Sequence, residues 1–417
     1  MTFRSLRSRN YRIWAAGSLI SNIGTWLQRT AQSWLVLTQL THGNATAVGI
    51  VMALQFGPQM LLLPWTGFAA DHLDRRKLLL ATQAAMGLLA LGLGALTVAG
   101  LVQLWHVYGF ALLFGCASAF DAPARQTFVA DLVGEMDLAN AVALNSTSFN
   151  AARMIGPAVA GLLIASVGTG WAFVVNGVSF GAVLVSLSFL RVSELHAEAR
   201  AGRIRGSLLA GFRYVWGRPD LRAILITLFL ISTFGFNFAI FISTMAVNVF
   251  QADAGLYGLL TSVMAVGTVA GSLFVAGRER PHFLHLFSGA AVFGLACGIA
   301  ALMPNVWLFA AALAVIGVSA LTFANTSNSL MQISTEPAMR GRVMAIRLAV
   351  ALGCTPLGAP FVGWVADRYG PRWSVGVAAA SGIAAALVAL HYLAKHHRLR
   401  LHVEAGRLRF RVEEEPA

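Results

Sequence analysis

The chain has 417 residues, of which 57% are hydrophobic and only 11% are charged. Soluble domains carry roughly 25% charged residues, so this composition excludes an ordinary soluble protein and indicates a polytopic membrane protein. The formal net charge of +13 would suit a nucleic-acid-binding protein, but the basic residues are distributed as in a membrane protein.

Twelve apolar stretches are long enough to cross a bilayer, which takes about 20 helical residues. In chain order the predicted spans are 13–39, 46–69, 78–101, 104–123, 139–166, 171–191, 221–249, 255–276, 283–303, 306–329, 342–366 and 373–394. The first of them follows a basic segment without a small-residue cleavage site, which predicts a retained helix rather than a signal peptide. Short links such as 41–46 predict antiparallel neighbouring helices.

The basic residues predict the orientation. Apart from Arg29, Arg153, Arg368 and Arg372, the Lys and Arg residues fall in segments on one side of an alternating topology. Because basic loops resist translocation, both termini are expected in the cytoplasm. Attraction to anionic inner-leaflet lipid is expected as well, so membrane lipid is a predicted partner and nucleic acid is not.

Polar residues inside the predicted helices mark the candidate site. On helix 1, Asn22, Thr25, Arg29 and Gln32 fall within an arc of about 80° at 100° per residue, with Gln28 close by. Hydrogen bonding between helices explains Asn and Gln well, but it explains Arg29 poorly, since a guanidinium without a counter-charge is costly in a membrane. We therefore expect a water-filled substrate cavity lined by Asn22, Gln28, Arg29, Gln32, Gln55, Gln59, Asn150, Arg153, Asn237, Asn325 and Asn328.

Two motifs carry a family resemblance. The segment after helix 2 reads GFAADHLDRRK, and its spacing Gly67-x-x-x-Asp71-x-x-x-Arg75-Arg76 resembles the loop between helices 2 and 3 of the major facilitator superfamily. An ordinary cytoplasmic basic loop would share its charge. On helix 5, Gly156-Pro157-x-x-Ala160-Gly161 resembles an element of major facilitator drug antiporters, although a tight helix-packing face would use similar residues.

Longer segments narrow the resemblance. The runs SNIGTWLQRTAQSWLVLTQLT, DAPARQTFVADLVG and ARMIGPAVAG are similar to the subgroup with enterobactin-type siderophore exporters and macrolide effluxers. The resemblance implies an all-α fold of twelve transmembrane helices in two six-helix bundles, 1–191 and 221–394. A cytoplasmic linker (192–220) joins them, and a cytoplasmic tail (395–417) follows. A repeat at constant spacing supports two related halves: Gly115, Gly156, Gly161 and Trp171 match Gly317, Gly358, Gly363 and Trp373.

The resemblance also implies an inner gate. Asp71, Arg75 and Asp121 would form a charge network beside Gly67, Arg76 and Arg125, and Asp71 could meet the start of helix 11 near Gly341. The similar sequence Gly363-x-x-x-Asp367 falls on the opposite side by helix counting, and we interpret it as a turn rather than a second gate. In the linker, Leu208, Phe212 and Val215 fall at helical spacing, typical of an interfacial helix or of a plain linker.

These features predict a monomeric secondary transporter that exports a siderophore- or drug-like solute, anionic or neutral, across a bacterial inner membrane. The alternative is an importer or flippase of a nutrient or lysophospholipid with the same fold. A membrane-embedded enzyme is disfavoured, since the predicted spans hold no cluster of His, Cys or carboxylates. No cofactor or metal is expected. Proton coupling stays open, with Asp121 as the deepest carboxylate.

Overall fold

The computed structural model describes residues 4–196, 208–276, 282–396, 398–404 and 407–413, which are almost entirely helical. The helices are α1 (Arg9–Trp34), α2 (Ala45–Leu61), α3 (Leu63–His72), α4 (Arg75–Val98), α5 (Leu104–Val133), α6 (Glu135–Val167), α7 (Thr169–Ser188), α8 (Leu208–Gly217), α9 (Pro219–Leu230), α10 (Phe238–Thr244), α11 (Ala254–Ala276), α12 (Phe283–Leu302), α13 (Val306–Ile333), α14 (Pro337–Gly353), α15 (Thr355–Tyr369) and α16 (Pro371–His396). Strands β1 (Arg398–Glu404) and β2 (Arg407–Glu413) follow. Single 3-10 turns precede α1 and follow α7, and π-helical turns extend α1, α9 and α10.

Each of the twelve predicted spans is helical, and three of them are interrupted. The breaks lie at Leu62, at Phe236–Asn237 and at Cys354. Pro64 and Pro356 are the second residues of the helices that follow two of these breaks, where a missing N–H costs nothing. Proline therefore explains two of the three interruptions.

Ten helical segments among the described residues are long and apolar enough to cross a membrane. The α1 helix, with its polar stripe, is not among the ten, and α2 has only 17 residues. The protein is thus a multi-pass membrane protein by its helices, and the finer count of twelve stays a prediction.

The chain divides into two compact units. Unit 1 comprises Met1–Ile204, Phe238–Val266 and Thr355–Ser374, and unit 2 comprises Arg205–Asn237, Gly267–Cys354 and Val375–Ala417. In unit 1 a buried cluster joins α1 to α5, with Trp14 and Phe128 in edge-to-face contact at 5.4 Å. In unit 2, Phe236 and Phe293 meet edge to face at 5.9 Å.

Backbone geometry follows the sequence repeat. Gly168 ends α6 with φ of 96°, and Gly370 ends α15 with φ of 99°. These glycines have the same spacing as the repeated glycines of the sequence. A positive φ is strained for residues with a Cβ, so glycine suits both helix ends.

The linker contains the predicted helix. In unit 2, α8 buries Val215 and sets Gly211 against α14, where an added Cβ would lie 3.0 Å from the Cβ of Arg342. Phe212 and Trp216 are exposed and stack at 5.5 Å. The helical alternative is therefore confirmed over Leu208–Gly217, and residues 197–207 of the linker lie outside the described residues.

The tail contains an unpredicted hairpin. Strands β1 and β2 pair antiparallel, from Arg398 opposite Glu413 to Glu404 opposite Arg407. Both strands alternate charged or polar residues with apolar ones in the sequence. This period of two is the usual sequence signal of a strand.

Candidate functional site

The polar residues on one face of α1 do not share one role. Some contact a neighbouring helix, and Arg29 lies at a separate site. The Gln28 side chain is buried and accepts a hydrogen bond from Asn176 of α7 at 2.6 Å, which fits the packing alternative for this residue. Gln32 is buried too, and its Nε2 atom has no hydrogen-bond partner among the described residues. Asn22 is half-buried.

Arg29 lies against two aromatic rings. Its guanidinium carbon is 4.9 Å from the ring centroid of Trp26, one turn earlier on α1, and 5.1 Å from that of Phe56 on α2. Its Nε atom is buried without a hydrogen-bond partner among the described residues, and none of their ion pairs includes Arg29. Cation–π contacts favour a desolvated guanidinium by about 2 kcal/mol, but they do not neutralise its charge.

Helix α6 packs against Trp26 and carries a second arginine. Phe149 meets Trp26 edge to face at 5.8 Å, and Arg153 donates a hydrogen bond of 3.1 Å to the side-chain oxygen of Asn150. One turn further on, a Cβ at Gly156 would lie 2.6 Å from the Cβ of Trp26. The missing side chain at Gly156 therefore allows α6 to hold Trp26 in place.

Two further candidates lie on α2 in unit 1. Gln55 is buried, and the Gln59 side chain lies 3.4 Å from the hydroxyl of Ser118 on α5. That contact joins two helices of the same unit, as expected for a polar residue that stabilises helix packing.

The remaining cavity candidates belong to unit 2. Asn237 is fully buried at the break after α9, and its amide donates to the Thr233 carbonyl at 2.8 Å. Asn325 and Asn328 are half-buried on α13. A basic residue lies close by in the same unit, because Arg347 of α14 donates a 3.1 Å hydrogen bond to the Ala324 carbonyl.

Arg75 does not pair with Asp121 in this structure. Arg75 begins α4 and donates a 2.7 Å hydrogen bond to Asp131, near the end of α5. The predicted span ended at residue 123, whereas α5 continues to Val133 and brings Asp131 to Arg75. Arg76 donates to the Leu187 carbonyl at 2.9 Å.

The other members of the predicted gate have separate surroundings. Gly67 is exposed, and a Cβ there would meet no atom within 4 Å. Asp71 lies in the chain segment of α3, but its side chain is outside the described residues.

Asp121 forms its own buried cluster. Its carboxylate accepts hydrogen bonds from Thr82 at 2.9 Å and Gln83 at 2.6 Å on α4, and from Arg125 at 3.1 Å one turn along α5. The Arg125 guanidinium lies 5.5 Å from the Trp14 ring centroid. This arrangement ties α1, α4 and α5 together around the carboxylate that the sequence places deepest.

The motif Gly156-Pro157-x-x-Ala160-Gly161 lies on α6 and packs against helices on two sides. Gly156 faces α1, whereas Pro157 and Gly161 face α11, where a Cβ at Gly161 would lie 2.7 Å from the Ala254 carbonyl. A Cβ at Gly258 would lie 2.4 Å from the Pro157 carbonyl. Such backbone contact requires small residues.

Asp367 is not in a turn, which corrects the sequence-based interpretation. It lies within α15, and its carboxylate accepts hydrogen bonds from the first two backbone N–H groups of α2, those of Ala45 at 2.7 Å and Thr46 at 2.8 Å. The partners are separated by more than 300 residues in the chain. A single sequence cannot indicate such a pairing.

Comparison with known proteins assigns the family. Residues 1–406 match the model of the transmembrane secretion effector family of the major facilitator superfamily, and the chain belongs to this family. It is 26% identical to the staphyloferrin A transporter of Staphylococcus aureus, over 85% of this chain and 89% of that protein. It is 25% identical to the multidrug efflux pump Tap of Mycolicibacterium fortuitum (85% and 88%) and 27% identical to the enterobactin exporter EntS of Shigella flexneri (83% and 82%).

Solved structures share the fold. A POT family transporter in complex with a thioalcohol-conjugated peptide aligns with a TM-score of 0.75 at 12% identity, over 95% of this chain and 99% of that one. The nucleoside transporter NupG aligns with a TM-score of 0.74 at 12% identity, over 92% and 99%. The predicted superfamily is therefore confirmed, and the protein is a secondary transporter of small solutes.

Proposed function

We propose that the protein exports a small organic solute with an anionic group from the bacterial cytoplasm across the inner membrane. The observation that carries this proposal is Arg29, which contacts Trp26 and Phe56 and has no ion-pair partner among the described residues. A solute that brings its own negative charge would supply what the site lacks.

The cation–π contacts of Arg29 favour one kind of anion. A guanidinium is planar and carries its N–H donors around its edge. Because aromatic rings attract the faces of the group, an incoming anion approaches the edge and accepts parallel hydrogen bonds. Carboxylates and other planar oxyanions fit this geometry. Arg153 and Asn150 lie on α6 between Phe149 and Gly156, the two residues that contact Trp26, and are proposed as further contacts of the same solute.

The known relatives support export of such a solute. A staphyloferrin transporter, an enterobactin exporter and a multidrug efflux pump have similar sequences over most of their length. We infer a mechanism of alternating access, in which twelve helices in two six-helix bundles expose the site to each side in turn, with both termini in the cytoplasm. From α1, α2 and α6, the proposed lining comprises Asn22, Arg29, Gln32, Gln55, Asn150 and Arg153, whereas Gln28 and Gln59 contact neighbouring helices. Asn237, Asn325 and Asn328 of unit 2 stay predictions.

Solute counterflow into proteoliposomes tests the proposal. The purified protein is assayed with staphyloferrin A, enterobactin, a macrolide and a lysophospholipid, each with and without a pH gradient. We expect accumulation of an anionic siderophore. Accumulation of only the lysophospholipid would support the flippase alternative, and accumulation of none of the four would contradict the proposal.

Variants of Arg29 connect the transport to the site. Arg29→Gln removes the charge, and Arg29→Lys keeps it but loses the planar edge. We expect both to weaken transport of the anionic solute, Gln more than Lys. Arg12→Gln is the matched control, because Arg12 lies on the same helix and is exposed. Equal transport by the Arg29 and Arg12 variants would remove the basis of the proposal.

A further inference from the structure

Helices α2 and α15 touch through their backbones. A Cβ at Gly49 would lie 2.4 Å from the Ala359 carbonyl oxygen, and a Cβ at Gly363 would lie 2.5 Å from the Ala45 carbonyl oxygen. Each helix therefore presents two small residues one turn apart, in the small-xxx-small arrangement that lets helices approach closely. This junction lies in unit 1 and joins the first half of the chain to the second half.

A carboxylate from α15 completes the start of α2. The first N–H groups of a helix have no partner within the helix. Asp367 accepts from the N–H groups of Ala45 and Thr46 and from the Thr46 hydroxyl, while Asn44 caps the N–H of Ala47 at 2.9 Å. We call the contacts of Asp367 with Ala45 and Thr46 the interhelical cap. The helix dipole adds to its strength, because a helix start favours negative charge.

Among the described residues, the equivalent junction in the other half of the repeat shows no such contact. There α6 packs on α11 through Gly161 and Gly258. At the sequence spacing that relates Gly161 to Gly363, the residue matching Asp367 is Ala165. The start of α11 is capped from within its own segment, by Asp253 to the N–H of Leu256 at 2.8 Å. Of these two junctions, only α2–α15 is held by a carboxylate from the facing helix.

We propose that Asp367 is the gating residue at this end of the transporter, and that the interhelical cap breaks each time this end opens. The inference rests on the alternating-access mechanism of the proposed function, because that mechanism requires each end to open in turn. The α2 start lies at the opposite end of α2 from the α3–α4 segment with Asp71 and Arg75, so the cap is distinct from the predicted inner gate.

The exposure of Asp367 makes the cap reversible. Its side chain is exposed, so water can replace the donors when the helices part. The net strength of a hydrogen bond in contact with water is modest, since each bond lost to the partner is replaced by one to water. The glycine contacts add only van der Waals packing, which weakens gradually as the helices separate. The hydrogen bonds of the interhelical cap instead break together. Removing the carboxylate should therefore favour the open state without unfolding the protein.

Cysteine labelling in proteoliposomes tests the gate without any substrate. In a background that lacks Cys116, Cys297 and Cys354, Ala359→Cys places a thiol on α15 at a fully buried position that packs on Gly49 of α2. A membrane-impermeant maleimide labels this thiol only when the junction opens to water. We expect Asp367→Asn to speed the labelling about tenfold, because the amide lacks the negative charge and offers one acceptor oxygen instead of two.

Asp253→Asn is the matched control, because it removes a carboxylate cap that stays within one helix segment. Its labelling rate should stay within about twofold of the parent protein, since its cap does not join two helices. Equal rates for Asp367→Asn and Asp253→Asn would overturn the proposal. If Asp367→Asn cannot be purified folded, Thr46→Ala decides: it removes only the hydroxyl contact, and an unchanged labelling rate would also overturn it.

Labelling and transport are measured independently, so the proposed gate and the proposed function can be contradicted separately. Faster labelling of Asp367→Asn in a protein that transports none of the tested solutes would contradict the proposed export and leave the gate supported. Normal transport of an anionic solute with unchanged labelling would contradict the gate alone.

Discussion

Arg75, the first residue of α4, donates a hydrogen bond of 2.7 Å to the carboxylate of Asp131, near the end of α5. Both side chains are mostly shielded, with 21% and 11% of their surfaces exposed. We expect a double-mutant cycle of Arg75→Gln and Asp131→Asn, measured by denaturant unfolding in detergent, to give a coupling free energy of about 1–3 kcal/mol. The exposed pair Arg191–Glu194 is the control and should give below about 0.5 kcal/mol. Equal coupling in the two cycles would contradict a stabilising role for the Arg75 pair.

The Asp121 cluster makes a second prediction. Asp121→Asn leaves the shielded Arg125 without its carboxylate, and breaking such a pair costs about 3 kcal/mol. We expect the variant to lose its monodisperse peak in size-exclusion chromatography at a clearly lower temperature than the parent protein. The double variant Asp121→Asn/Arg125→Gln should recover part of the loss, because it leaves no unpaired charge. A double variant less stable than both single variants would contradict this structural role.

A substitution at Gly156 tests whether close packing at this position keeps Trp26 in place. A side chain at this position meets the Cβ of Trp26 and the carbonyl of Ile23, so Gly156→Val should destabilise the protein by about 2 kcal/mol. It should also weaken binding of the anionic solute, because Trp26 contacts Arg29. Gly181→Ala is the control: no atom lies within 4 Å of its added Cβ, and in a helix it should raise stability by about 0.4–1 kcal/mol. Calorimetry of both variants decides, and a stable Gly156→Val with normal binding would refute the packing role.

Helix α8 is predicted to lie at the membrane interface. Phe212 and Trp216 form its exposed aromatic pair, and Arg213 is exposed beside them. Spin labels at positions 212 and 216 should be more accessible to oxygen, which concentrates in lipid, than to a water-soluble nickel reagent. A label at position 213 should show the reverse preference. Equal preference at all three positions would place α8 in water and favour the plain linker role.

The sequence was sufficient for the helices because hydrophobic length is a strong signal in membrane proteins. The predicted span for α5 was too short. The predicted span ended at residue 123, just after Asp121, but α5 continues to Val133, and Asp121, Arg125 and Asp131 pair with one another or with Arg75 at mostly shielded positions. Pairing lowers the free-energy cost of burying a charged side chain, and no local sequence pattern reveals which residues pair.

The candidate site was predicted in part. The polar stripe singled out Arg29, yet its contact with Phe56 depends on how α1 and α2 pack. Gln28 lies on the same stripe and binds Asn176 instead, because one side of the stripe faces α7. Asp367 was noticed in the sequence for its likeness to the other loop, but its partners Ala45 and Thr46 appear only in three dimensions. Residues that act across distant segments cannot be paired from one sequence.

Recognition of a negative charge by Arg29 can be measured with a matched pair of solutes. The free acid of the transported siderophore and its methyl ester are compared by initial counterflow rate in the parent protein and in Arg29→Gln. We expect the parent protein to prefer the acid by about tenfold, as for loss of a charge-assisted hydrogen bond, and Arg29→Gln to show no preference. Equal rates for acid and ester in the parent protein would contradict the claim.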